Sequence, residues 1–115
     1  MKTQYISQLP EDWKPIARIF SALGDETRQT IMLLFDPGEE IGLKAIVDAL
    51  PLSRTAVVHH LGVLEQAGLL VPRKQGREVY YSVALEPIIE ALGLVKTYAE
   101  DELREAKTKL EKNAK

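Results

Sequence analysis

Apolar residues recur along the chain at helical spacing in four short stretches and one long one, and between the last two they form a pair of compact runs instead. Pro10, Glu11 and Asp12 predict a helix start in which first-turn acids complement the positive end of the helix dipole. Trp13, Ile16, Ala17, Phe20 and Leu23 follow as its apolar positions. Gly24 ends that helix. Asp25 is placed to cap a second helix with the stripe Ile31, Leu34 and Phe35, before Asp36-Pro37-Gly38 supplies a turn. Ile41 is positioned for a very short strand. Leu43, Ile46, Val47 and Leu50 mark a short third helix, which Pro51 stops because proline has no amide hydrogen and disfavours helix at the residue before it.

Ser53 is a good N-cap for a fourth helix over about residues 53–67, with Val57, Leu61 and Leu64 at i, i+4 and i+7 and Ala67-Gly68 closing it. The runs Leu69 to Val71 and Val79 to Val83, separated by Lys74-Gln75-Gly76-Arg77, predict a β-hairpin over residues 69–83 with a polar tip. From about 85 to 112, Leu92, Val95, Ala99, Leu103, Ala106 and Leu110 keep a three-four spacing while most other positions are charged. So narrow a stripe gains little in an isolated helix in water, and it predicts packing on a partner, most simply the same helix of a second chain. The expected fold is mainly α: a winged helix-turn-helix with a two-stranded β-hairpin wing, residues 1–115 forming one domain.

Composition narrows the function. The chain of 115 residues is long enough to bury a core without disulfides or structural metals. No apolar run reaches the roughly 20 residues needed to cross a bilayer, so no membrane span is expected. The segment Met1 to Pro10 lacks the basic start, apolar centre and small-residue cleavage site of a secretory signal, which predicts a cytoplasmic protein. With no cysteine, no thiolate is available for metal binding, disulfide formation or redox sensing. A net charge of −2 argues against a nucleic-acid partner until its distribution is considered. Acids crowd Asp25 to Asp48 and Glu86 to Glu105, whereas Ser53 to Val83 carries Arg54, Arg73, Lys74 and Arg77 against Glu65 and Glu78 alone.

That local excess falls on two helices joined by the tight Pro51-Leu52 turn and followed by a basic-tipped hairpin, an arrangement suited to duplex DNA: the major groove admits one helix, and the hairpin reaches along the backbone. If Val57, Leu61 and Leu64 face inward, Arg54, Thr55, Val58 and His59 fall on the outward, N-terminal side. Arg54 can donate a bidentate pair to guanine, Thr55 can bond base or phosphate, and Val58 can touch a thymine methyl. Ser53 and the helix N-terminus suit phosphate. Arg73, Lys74, Gln75 and Arg77 are candidates for phosphate or the minor groove. Ser53 serves as a cap in either case, and Val58 faces either DNA or the core beside Val57. Tyr80 and Tyr81 alternate faces, so at least one packs inward.

Three segments carry a resemblance to a known family: Ala22-Leu23-Gly24-Asp25-Glu26-Thr27-Arg28, Leu52 through Leu70 with its His59-His60-Leu61 and Ala67-Gly68-Leu69, and Gly76 through Val83. Together they resemble the ArsR/SmtB repressors over nearly the whole chain. The resemblance implies a homodimer joined through its first and last helices and bound to a near-palindromic operator that it represses. The interface would then take Trp13, Ile16 and Phe20 from the first helix and Leu92, Val95, Ala99, Leu103 and Ala106 from the last. In metal-sensing members a Cys-x-Cys pair lies on the third helix. Gly42 and Lys44 stand at those places here, and the only histidines, His59 and His60, leave none for a last-helix site. Neighbouring helical residues point about 100° apart, so these two do not readily chelate one ion. No metal and no cofactor is expected. His59 is placed toward DNA, and His60 toward a bond within the fold or to phosphate.

Catalysis finds little support: there is no cysteine nucleophile or glycine-rich phosphate loop, and Glu39-Glu40 and Asp101-Glu102 read as solvated faces. The alternative to a DNA-binding regulator is a winged-helix protein-interaction module without specific DNA binding, since fold alone does not fix function. A small-molecule or protein effector fits the regulator reading, and Trp13, Tyr5 and Tyr98 are either a pocket for it between the terminal helices or ordinary packing.

Overall fold

The computed structural model describes residues 7–114. A 3-10 turn at Glu11–Trp13 leads into α1 (Lys14–Leu23), followed by α2 (Glu26–Leu33), β1 (Ile41–Gly42), α3 (Leu43–Ala49), α4 (Arg54–Gln66), β2 (Leu70–Gln75), β3 (Glu78–Val83) and α5 (Glu86–Asn113). The predicted order of elements is therefore present. The wing is more than a hairpin, because β1 joins it to give a three-stranded antiparallel sheet in the order β1-β3-β2. Its strands also run further toward the tip than the apolar runs predict. Gln75 pairs with Glu78, which leaves only Gly76 and Arg77 as the turn. Gly76 alone takes a positive φ, 63°, the requirement of a two-residue hairpin with glycine first. Pro72 is tolerated because β2 is an edge strand.

The core is built from Ile16, Ile19 and Ala22 of α1, Ile31, Ile46, the α4 stripe Val57, Leu61 and Leu64, then Leu69, Leu70, Tyr81 and Ala91. Ile16, expected at the partner interface, is 6% exposed within one protomer and packs in that protomer's own core. The i, i+3, i+6 row of Ile16, Ile19 and Ala22 turns inward as a unit and leaves Phe20 outside. Tyr81 is the inward member of the tyrosine pair, and Tyr80 is half-buried.

α4 closes with two hydrogen bonds that reverse the chain, Gly68 N–H to the Glu65 carbonyl at 3.0 Å and Leu69 N–H to the Leu64 carbonyl at 2.9 Å. This is a Schellman ending, and it needs the left-handed φ of 78° at Gly68. Leu69 and Leu70 drop into the core directly after it, which fixes where the wing begins.

α5 behaves differently. Its first turns pack on the body through Ala91, Ile88 and Val95, chiefly against α1. From Lys96 to Ala114 every side chain except Glu102 is exposed, and the molecule is 69 Å long but only 31 and 25 Å across. None of the helices among the described residues is long and apolar enough to cross a membrane.

Two glycine substitutions separate conformational need from space. Gly68→Ala is expected to lower stability by about 1 kcal/mol or more, because alanine resists a positive φ. Gly62→Ala, in α4 with nothing within 4 Å of the place an added methyl would take, is expected to raise it by about 0.5–1 kcal/mol. Thermal unfolding of both variants checks the signs.

Candidate nucleic-acid interface

Helix α4 owes its orientation to one face. Val57, Leu61 and Leu64 are at most 1% exposed, and the helix meets α2, α3 and β2 along that side. Ser53 caps it by accepting from the Ala56 N–H at 3.1 Å. The opposite side of the first two turns then presents Arg54, Thr55, Val58 and His59, all exposed, with Val58 at 45%. Of the alternatives open for Val58, the outward one is observed. Its thirteen residues make α4 about 20 Å long, and the major groove is about 12 Å wide, so the N-terminal half can enter a groove while the buried stripe stays in the protein.

The helix is held at its middle as well as its start. Asp25 caps α2 by accepting from the Arg28 N–H at 3.1 Å, and this hydrogen bond holds its carboxyl below the usual carboxylate range. Arg28 in turn reaches back to the end of α1, donating to the Ala22 carbonyl at 2.7 Å and the Ser21 carbonyl at 3.1 Å. Its remaining terminal nitrogen lies 3.2 Å from Nδ1 of His60 on α4. A guanidinium only donates, so in a hydrogen bond between them Nδ1 is the acceptor. Thus one arginine caps α1 and steadies α4, and His60 bonds within the fold.

The wing residues divide between faces. Successive strand residues point opposite ways, so Arg73 and Gln75 share one face of β2 and Lys74 lies on the other. Arg73 is engaged within the chain: Nε and Nη2 donate to the two Glu40 carboxylate oxygens at 2.8 and 2.7 Å, and Nη1 donates to Gln75 Oε1 at 2.9 Å. Its guanidinium also stacks 5.1 Å from the Tyr80 ring centre. This pairing lowers the Glu40 carboxyl from its ordinary value and raises the Arg73 guanidinium. The Tyr80 hydroxyl donates to Glu78, which pushes the phenol up.

Arg54 from the helix and Arg77 from the wing are brought together. They line an open cleft of 610 Å³ between α3 and the wing, together with Lys44, Asp48, Glu78 and Tyr80. Among the described residues no ion pair engages Lys44, Arg54, Lys74 or Arg77. Lys44 is the cation that sequence reasoning misses. The sequence marks it only as one of two positions where metal-sensing proteins carry cysteine, and its place in the same cleft as Arg54 depends on how α3 packs against the sheet. Gly42, the other such position, ends β1 and caps α3.

At the other end of the molecule, Phe20, Leu92 and Leu103 are 44, 53 and 55% exposed, and Ala99 and Ala106 are exposed beside them. Val95 is partly buried on the protomer's own core. Trp13 packs edge to face on Tyr98, ring centres 5.2 Å apart, and Tyr5 lies outside the described residues.

Comparison with known proteins agrees with this geometry. A family model described as a helix-turn-helix domain matches residues 23–73. An uncharacterized HTH-type transcriptional regulator of Methanocaldococcus jannaschii is 32% identical over 85 residues, 74% of this chain and 96% of that protein. The arsenical resistance operon repressor of Escherichia coli is 37% identical over 67 residues, 58% of this chain and 57% of the repressor. Among solved structures, an ArsR-like transcriptional regulator from Rhodococcus superposes with a TM-score of 0.74 at 26% identity, covering 84% of this chain and 90% of that one. The homodimeric winged helix-turn-helix DNA-binding domain of a possible ArsR-family regulator from Mycobacterium bovis gives 0.62 at 27% identity, covering 87% and 94%.

Asp25 makes a pH dependence testable. A carboxyl held below its unfolded value adds stability above the usual carboxylate range and loses it as pH falls through the depressed value. Asp25→Asn keeps a capping oxygen but not the charge, so the acid side of a melting-temperature profile is expected to be shallower than in the wild type. An unchanged acid limb would contradict the assignment.

Proposed function

We propose, for a chain that belongs to the ArsR family of winged helix-turn-helix transcriptional regulators, that it works as a single winged-helix unit in each half of a homodimer and represses transcription from a near-palindromic operator. The observation that carries this reading is that Arg54 from the start of α4 and Arg77 from the wing, with Lys44, line one cleft. A helix end and a wing tip that offer cations to one cleft suit a groove and its flanking phosphates.

Within this reading Arg54 and Thr55 contact base edges, Val58 meets a thymine methyl and His59 lies at the groove wall. Ser53 and the first amides of α4 take a phosphate, and Lys74 and Arg77, with Gln75 at the tip, take the neighbouring backbone. The partner protomer covers the exposed stripe Leu92, Ala99, Leu103 and Ala106 together with Phe20. A two-fold dimer then places its half-sites about one helical turn apart, or a multiple of that.

Selection of bound sequences from a random duplex pool, followed by rebinding across a salt series, tests the proposal. A two-fold symmetric motif is expected, with affinity falling steeply as salt rises. No enrichment even at low salt would overturn it in favour of a protein-interaction module. Arg54→Ala is expected to relax preference at one position of each half-site by about 1–3 kcal/mol. Lys74→Ala is expected to weaken all sequences alike and flatten the salt slope by about 0.9 for every phosphate no longer neutralised. Leu103→Glu is expected to yield a monomer in sedimentation and to abolish the symmetric motif.

A further inference from the structure

Glu40 and Arg73 are 33 positions apart and belong to different parts of the site. Glu40 immediately precedes β1, and β1 runs straight into α3, the first helix of the helix-turn-helix. Arg73 lies on β2, the far edge of the wing. Between them runs β3, so the ion pair crosses two strand spacings, roughly 10 Å, over the middle strand. The residue beneath it is Tyr80, directly paired with Arg73 on one side and with Gly42 on the other. Gly42 lies close against that ring: an added Cβ would be 3.4 Å from Tyr80 Cε1, in ordinary van der Waals contact.

The backbone seam joining wing to helix-turn-helix is short, two residue pairs between β1 and β3. So brief a ladder constrains the angle of a hairpin poorly. The bidentate Glu40–Arg73 contact, stacked on Tyr80, adds a second and stiffer tie across the same junction. We infer that Arg73, with Glu40 and Tyr80, is a positioning unit that fixes the wing against the helix-turn-helix, and that Arg73 is not one of the phosphate contacts. Exposed ion pairs add little to global stability; what this one restricts is the orientation of the wing, and with it where Lys74 and Arg77 meet DNA while α4 is in the groove.

The inference rests on the DNA-binding reading above, and its test separates the two. Binding of a fluorescently labelled mixed-sequence duplex is followed by anisotropy over a salt series for the wild type and for Arg73→Ala, Arg73→Lys and Lys74→Ala. A positioning role predicts that both Arg73 variants weaken binding, each by roughly fivefold, with the wild-type salt slope kept. Lysine fails to rescue because it lacks the planar fork, although it keeps the charge. Lys74→Ala lowers the slope by about 0.9 for each phosphate left without its cation. If Arg73 itself met phosphate, Arg73→Lys would bind as the wild type does and Arg73→Ala would flatten the slope as Lys74→Ala does; either result overturns the inference, as does an Arg73→Ala variant that binds at full strength.

If the wild type binds no duplex at low salt, the DNA-binding reading fails, and amide hydrogen exchange in the free protein decides the tie on its own. Arg73→Ala, Glu40→Ala and the double variant should then speed exchange of the β2 and β3 amides to the same extent, because each breaks the same ion pair. Unchanged exchange, or effects that add in the double variant, would overturn the tie.

Discussion

The interaction on which the rest of the site depends is the burial of Val57, Leu61 and Leu64 beneath α4. A helix has one rotational freedom about its axis, and three residues at i, i+4 and i+7 remove it. Once they are seated against α2, α3 and β2, the side that carries Arg54, Thr55, Val58 and His59 points outward without any contact of its own to hold it there. The same stripe sets the wing. Leu64 accepts the hydrogen bond that reverses the chain at Gly68, and Leu69 and Leu70 enter the core on the next two residues, so β2 starts in a place dictated by where α4 ends. Helix and the base of the wing are therefore positioned by one packed layer, which Ile31, Ile46 and Tyr81 complete.

A second constraint acts at the opposite end. The stripe of α5 continues past Val95 through Ala99, Leu103, Ala106 and Leu110, yet the body of the protomer ends before it does. Of its 28 residues, about 42 Å of helix, the first turns are those that pack on the hydrophobic core among the described residues. A long helix with an exposed apolar row stays soluble and ordered most simply when a copy of itself covers that row. Two copies of α4 related by a dyad follow from this, and under the proposed reading they call for a symmetric pair of half-sites.

How far the sequence shows these features depends on whether the signal is local. The boundaries of α4 are legible because Ser53 caps and Gly68 ends it within the same fifteen or so residues that carry its stripe, and the outward residues follow by geometry. For α1 the pattern is ambiguous. Apolar residues lie on more than one side, and only contact with α2 and α5 selects Ile16, Ile19 and Ala22 for the core while leaving Phe20 and Ala17 outside. Charges are least legible. Arg73, Lys74 and Arg77 look alike in sequence, but strand alternation sends Arg73 and Lys74 to opposite faces, and Arg73 meets a carboxylate that no spacing rule connects to it. The same holds for Arg28 and His60, and for Lys44, whose neighbours are set by chain crossings rather than by periodicity.

Those charge positions also resolve the conflict between a net charge of −2 and a DNA partner. Screening at physiological ionic strength limits surface electrostatics to about 8–10 Å, so the field that a phosphate meets is set by its neighbours and not by the total. Glu100, Asp101, Glu102 and Glu105 lie on the part of α5 that extends beyond the core, where Arg104 and Lys109 partner two of them. Asp25 is turned to its capping bond, and Glu40 is matched by Arg73. Asp48 and Glu78 remain beside the cleft, but Lys44, Arg54 and Arg77 outnumber them there. Several of the acids that make the chain negative are thus on the far part of α5 or already bonded, whereas Arg54, Lys74 and Arg77, which no ion pair engages among the described residues, are the cations that the proposed reading assigns to a duplex.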